Sequence, residues 1–149
     1  MLEESVFTDD TIVETVKEQY GIEVKSIKKI NRGSANIYSL NDDSYILKEF
    51  QSTCSKEEIY KEIEVINHLR KYDLLVPEYI CTVDNEYSFT YKDRLVILQK
   101  YIDGYVKESN TGDYSQVIEC ARELGKMVKA LETLEYELPL LDVTSWFKK

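Results

Sequence analysis

Ser44-Tyr45-Ile46-Leu47-Lys48-Glu49-Phe50 places a lysine inside an alternating apolar run, and this arrangement constrains both the fold and the chemistry of the chain. Period-two alternation predicts a strand with Ile46, Lys48 and Phe50 on one face and Tyr45, Leu47 and Glu49 on the other. A cation among apolar neighbours is costly unless a counter-charge or a phosphate meets it. The next segment opens with Ser55 and Glu58, a capping-box pattern, and continues with Ile59, Ile63, Ile66 and Leu69 at helical spacing toward Tyr72. Glu62 shares the inner stripe through Ile66 and Leu69, whereas Glu64 lies about 200° round and points outward. The expectation is an ion pair between Lys48 and Glu62. The bland alternative is a solvated lysine and a solvated helical glutamate.

Upstream, Asn31-Arg32-Gly33-Ser34-Ala35-Asn36 reads as a turn between strands. Glycine there lets backbone amides approach phosphate oxygens, and Ser34 adds a hydroxyl. One glycine in a hairpin is also what any ordinary turn contains. Neither the Gly-Lys-Ser/Thr ending of a P-loop nor a dinucleotide glycine pattern is present.

The rest of the chain supports a small mixed domain. Ile12, Val13, Val16 and Tyr20 form a helical stripe over Asp10 to Tyr20, stopped by Gly21. Val24 to Ile30 and Ile37 to Leu40 read as strands, and Asn41-Asp42-Asp43 joins the second to the lysine strand. Pro77 ends the long helix and opens a strand from Tyr79 to Val83. Asp84-Asn85 and Lys92-Asp93 read as hairpin turns around Tyr87 to Tyr91, and Leu95 to Tyr101 as a buried strand ended by Asp103-Gly104. Glu108 to Asp113 is the best linker. Val117, Ala121, Leu124, Val128 and Leu131 then mark an amphipathic helix, and Leu138 to Phe147 is an apolar tail.

A net charge of −9 argues against a nucleic-acid partner. No run approaches the roughly 18 apolar residues of a membrane span, and the N-terminus lacks a signal-peptide pattern. Cys54, Cys81 and Cys120 are widely spaced, which suits buried reduced thiols and a cytoplasmic location. His68 is the single histidine, leaving little for a histidine-based zinc site or a serine triad; it reads as a helix-surface residue.

The order of turn glycine, strand lysine, helix glutamate, Val76-Pro77 and the apolar strand Leu98-Gln99-Lys100-Tyr101-Ile102-Asp103-Gly104 resembles the N-terminal lobe of the aminoglycoside phosphotransferase and choline kinase superfamily, including its spore-coat kinase-like branch. The resemblance runs from about Tyr20 to Leu134. It implies an α+β, protein-kinase-like N-lobe: a five-stranded, mostly antiparallel sheet packed with one long helix, then the first helix of a second lobe. It implies a nucleotide site in which Gly33, Ser34 and Asn36 cover phosphates. Lys48 would hold the phosphates, Glu62 would orient Lys48, and the main chain through Lys100, Tyr101 and Ile102 would receive adenine. ATP is the implied cofactor, with Mg2+ beside it in the family. A protein kinase proper fits less well, because the turn lacks repeated glycines.

This sequence also departs from the family. The His-Gly-Asp catalytic loop, with its base and metal-holding acids, has no counterpart; His68 is followed by Leu69-Arg70, and Asp142 sits in Leu140-Leu141-Asp142-Val143. Without metal-held neutralisation, phosphoryl transfer loses its main stabilising influence. The expectation is a nucleotide-binding lobe over residues 1–106, and a linker with the start of a truncated helical lobe over 107–149. No residue of this chain is assigned a catalytic or metal-ligating role, and the chain alone is expected to be inactive. The rival is a non-enzymatic module whose apolar tail (Leu140, Leu141, Trp146, Phe147) pairs with itself as a homodimer or with a missing second lobe.

Overall fold

The computed structural model describes residues 2–30, 33–104, 108 and 111–135. The Asn31-Arg32 start of the glycine turn, part of the expected linker and the whole apolar tail lie outside them.

Helix α1 (Asp9–Tyr20) starts at a Thr8 cap and stops at Gly21, whose φ of 66° is the left-handed conformation glycine adopts without strain. Strands β1 (Ile27–Ile30), β2 (Asn36–Leu40) and β3 (Tyr45–Glu49) come next as an antiparallel meander. Asn41, Asp42 and Asp43 all take positive φ in the β2–β3 turn, a job suited to short polar side chains. Helix α2 (Lys56–Arg70) begins at Ser55 with the capping box complete, and Glu58 reaches back to the Ser55 amide. Strands β4 (Tyr79–Ile80), β5 (Ser88–Tyr91) and β6 (Arg94–Lys100) finish the sheet, and α3 (Tyr114–Leu131) closes the order.

The sheet runs β1-β2-β3-β6-β4, with β5 also paired to β6, and every pairing is antiparallel. Strand β3 lies along one edge of β6; β5 and β4 share the other, pairing with Arg94–Ile97 and Leu98–Gln99 respectively. The fifth position across the sheet is thus divided between two short strands. Strand β4 is shorter than the expected Tyr79 to Val83, because the chain leaves the ladder after Ile80. The Thr82 amide donates to Glu86 O and the Val83 amide to Gln19 O. Likewise β1 begins at Ile27 rather than Val24. The Lys25 amide donates to Asn41 Oδ1 and the Asn41 amide to Ser26 O, so the β2–β3 turn ties down this stretch in place of a neighbouring strand.

Two cores lie on opposite faces. On one, Ile12, Val16 and Tyr20 of α1 pack with Tyr38, Leu40, Leu47, Val96 and Leu98. On the other, Ile59 and Ile63 of α2 meet Tyr79 and Ile97. The α1 face carries an additional strap, residues 2–8. Ser5 donates to Glu49 Oε2 (2.5 Å) and accepts from the Tyr38 hydroxyl (2.6 Å), while the Val6 amide reaches Glu49 Oε1 (3.2 Å). Glu3 accepts from both the amide and the hydroxyl of Ser52, at 2.8 and 2.7 Å, and pairs with Arg94.

Candidate nucleotide site

Lys48 stands opposite Ile37 in β2 and Ile97 in β6, so it projects from the α2 face. Glu49, the next residue, projects from the other face and is fully buried beneath the strap. The alternation read from sequence therefore separates two charges one residue apart, one onto the α2 face and one into the opposite core. Burial pushes the Lys48 ammonium below its ordinary pKa, and the Glu62 carboxylate acts in the opposite sense.

The expected direct ion pair is not formed: Lys48 and Glu62 share one side of the sheet without reaching ion-pairing distance. Glu62 is instead held by Tyr79, whose hydroxyl donates to Oε1 at 2.8 Å. Tyr79 is in register with Gln99, which faces Ile46, so its ring stands on the surface that carries Lys48. Burial, reinforced by the Glu62 carboxylate, raises the Tyr79 pKa and keeps the hydroxyl a donor. Sequence pattern had no means of finding this contact, because it joins residues 17 apart on different elements.

Of the residues singled out from sequence, Ser34 and Glu62 line one cleft of about 520 Å3, together with Phe50, Gln51, Cys54 and Glu58. Gly33, at φ 94°, makes the turn at its rim; a Cβ there would sit 3.5 Å from the Ile37 side chain in a conformation other residues rarely take. Asn36 is placed elsewhere. It is buried opposite Glu49 and its amide donates to Glu3 O (3.2 Å), so it serves the strap face. At the end of β6, the Lys100 amide donates to Glu78 O (2.8 Å) and its ammonium pairs with Glu78 Oε1 (2.9 Å). The Tyr101 amide donates to Ser44 O (3.0 Å). Among the described residues Ile102 makes no backbone hydrogen bond, leaving a donor and an acceptor for a ligand edge.

His68 is not a free surface residue. Its Nε2 lies 2.8 Å from Ala130 O and 3.1 Å from Thr133 Oγ1, and the Tyr72 hydroxyl is 2.5 Å from the same Thr133 oxygen, so these groups fasten the end of α3 to α2. Among the described residues no cluster of three or more His, Cys, Asp or Glu side chains could hold a metal ion, and no helix is long and apolar enough to cross a membrane. The three cysteines are free but not buried as expected: Cys54 and Cys81 are half-buried, and Cys120 is exposed because it lies on a largely uncovered α3.

A lysine strand, a capped helix bearing a glutamate over it, a glycine turn and a strand end with open backbone groups together define a kinase-like N-lobe. The chain belongs to the phosphotransferase enzyme family (APH), whose model matches residues 26–147. Solved structures agree on the fold. An amicoumacin kinase, hAmiN, in complex with AMP-PNP, Ca2+ and Ami is similar at TM-score 0.75 and 14% identity, with 89% of this chain and 42% of that chain covered. A spectinomycin phosphotransferase, APH(9)-Ia, in complex with ADP and spectinomycin gives TM-score 0.66 at 16% identity, covering 90% of this chain and 43% of that one. A microcompartment-associated aminopropanol kinase gives TM-score 0.62 at 19% identity, covering 88% and 42%. The chain thus spans less than half the length of these structures. No curated protein matches it.

Proposed function

We propose that this chain is the nucleotide-binding lobe of an ATP-dependent small-molecule phosphotransferase of the aminoglycoside and choline kinase type. The carrying observation is Lys48: a desolvated ammonium with no ion pair among the described residues, beside a glutamate anchored by a third group. Such a cation gains most when a polyphosphate supplies the missing negative charge. In this reading Glu62, steadied by Tyr79, keeps the ammonium aimed at the phosphates. Ser34 and the Gly33 turn cover them, and Ile102 with its neighbours Lys100 and Tyr101 receives the base. Residues 1–106 form the nucleotide lobe and 107–149 begin the helical part, in a cytoplasmic protein.

The described residues assemble no metal site, so Mg2+ would be held by the nucleotide and by groups supplied from elsewhere. The sequence also has no counterpart of the family's His-Gly-Asp loop, so we expect no turnover from these 149 residues alone. ATP at 100 times its Kd should stabilise the chain by about 2.7 kcal/mol, and Lys48→Ala should abolish that gain in a thermal-shift titration. No ATP-dependent stabilisation of the wild type would defeat the reading.

One observation favours a second reading, a non-enzymatic interaction or dimerisation module. Helix α3 exposes Tyr114 (81%), Val117 (59%), Leu124 (54%) and Val128 (49%), an apolar stripe with no cover among the described residues. A tight dimer in analytical ultracentrifugation, unaffected by ATP, would select that reading.

A further inference from the structure

The strap reaches the rim of the cleft through Glu3. An ion pair with Arg94, the first residue of β6 and only 13% exposed, anchors the Glu3 side chain to the sheet. From that anchor Glu3 grips both walls of the cleft. Its carbonyl accepts from Asn36 Nδ2 (3.2 Å), where the glycine turn enters β2. Its carboxylate accepts from the Ser52 amide (2.8 Å) and hydroxyl (2.7 Å), inside the segment that carries Gln51, Thr53 and Cys54 into the cleft. Gln51 Nε2 in turn donates to Ser34 O at 3.0 Å. The turn and the facing segment are thus joined both directly and through Glu3.

Resting on the nucleotide reading, we propose that Glu3 is a positioning residue that holds the phosphate-covering turn in place from the far side of the sheet. Asn36 is in register with Glu49 and so belongs to the α1 face, whereas Ser34, two residues earlier, lines the cleft. A glycine turn bends at little cost, and its amides cradle phosphate oxygens only while the turn keeps its shape. A segment that must be ordered when the ligand arrives subtracts that ordering from the affinity. Glu3 fixes both walls beforehand. Ser5 acts apart from this, since it bonds Glu49, Tyr38 and the Phe7 amide, none of which lines the cleft. Affinity for the phosphates therefore depends on Glu3, and affinity for the base does not.

The test is calorimetric titration of the intact chain with ATP and with adenosine, which keeps the base and lacks the phosphates. Glu3→Ala should weaken ATP binding about tenfold, the cost of ordering on the order of one residue, and leave adenosine unchanged. Ser5→Ala, a cut in the same strap away from the cleft, should bind ATP as the wild type does. Where Glu3→Ala does not fold, Ser52→Ala removes one of the carboxylate's bonds at an exposed position and should weaken ATP about threefold. Wild-type ATP affinity in these Glu3 and Ser52 variants, or an equal loss in Ser5→Ala, would overturn the positioning role. So would an equal loss for ATP and adenosine. If Lys48→Ala still weakens ATP in those cases, the nucleotide reading survives alone. A wild type that does not bind ATP overturns both. Where adenosine binds too weakly to measure, the ATP ranking of the variants decides the matter.

Discussion

The two faces of the sheet bury comparable side chains but treat their charged groups in opposite ways. On the α1 face the Glu49 carboxylate is fully enclosed, yet both oxygens are met, by Ser5 and the Val6 amide, and Asn36 and Tyr38 are bonded to the same strap. On the α2 face Lys48 has no ion pair, Gln99 has an unpaired amide and the enclosed Ser88 hydroxyl lacks a partner. Buried polar groups are ordinarily satisfied. The α1 face has its own orphan, the enclosed Tyr20 hydroxyl, so the contrast lies in the charges: one carboxylate is bonded at both oxygens, and one ammonium is left without an ion pair for something to meet.

That contrast can be broken from either side. The largest effect should come from the closed face. Leu47→Ala, which removes a fully buried side chain between α1 and the sheet, should cost about 3 kcal/mol in urea unfolding. Ser5→Ala should cost about 2 kcal/mol, because it takes a hydrogen bond from a buried carboxylate. It should leave stabilisation by ATP untouched; a loss below about 0.5 kcal/mol would mean the strap is not what satisfies Glu49.

On the open face the sign should reverse. Burial depresses the Lys48 pKa, so between its folded value and the ordinary lysine value the unfolded chain binds more protons. Stability attributable to this group therefore rises with pH through that window, and the penalty is fully present at neutral pH. Lys48→Met should raise stability at pH 7, by on the order of 1 kcal/mol. The gain should shrink as the buffer is taken toward the ordinary lysine pKa. A variant less stable than the wild type at pH 7 would show the ammonium to be satisfied after all. The smallest effect belongs to the junction with α3: His68→Ala should change global stability by about 0.5 kcal/mol and speed amide exchange near Ala130 and Thr133, leaving α1 unchanged.

Much of this contrast is legible in the sequence, because it is local. Period-two alternation through Tyr45–Glu49 separates Lys48 from Glu49, the Ser55–Glu58 box starts α2, and Gly21 ends α1; Glu62, expected to point inward, is exposed and meets the sheet only through Tyr79. What escapes is set by contacts between distant segments. Glu62 bonds to Tyr79 rather than closing on Lys48, and Asn36 is drawn to the strap by the Glu3 carbonyl. His68 looks like a surface residue until α3 folds back over it, and Gln99 is singled out only by the donors that do not surround it. No periodicity encodes any of these.

The most direct measurement is a paired one on Lys48→Met: unfolding free energy without nucleotide, and the stabilisation added by saturating ATP. A cation held in reserve for phosphate predicts a variant more stable than the wild type when empty and insensitive to ATP. A variant that is less stable when empty, or that gains as much from ATP as the wild type, would contradict that role for Lys48.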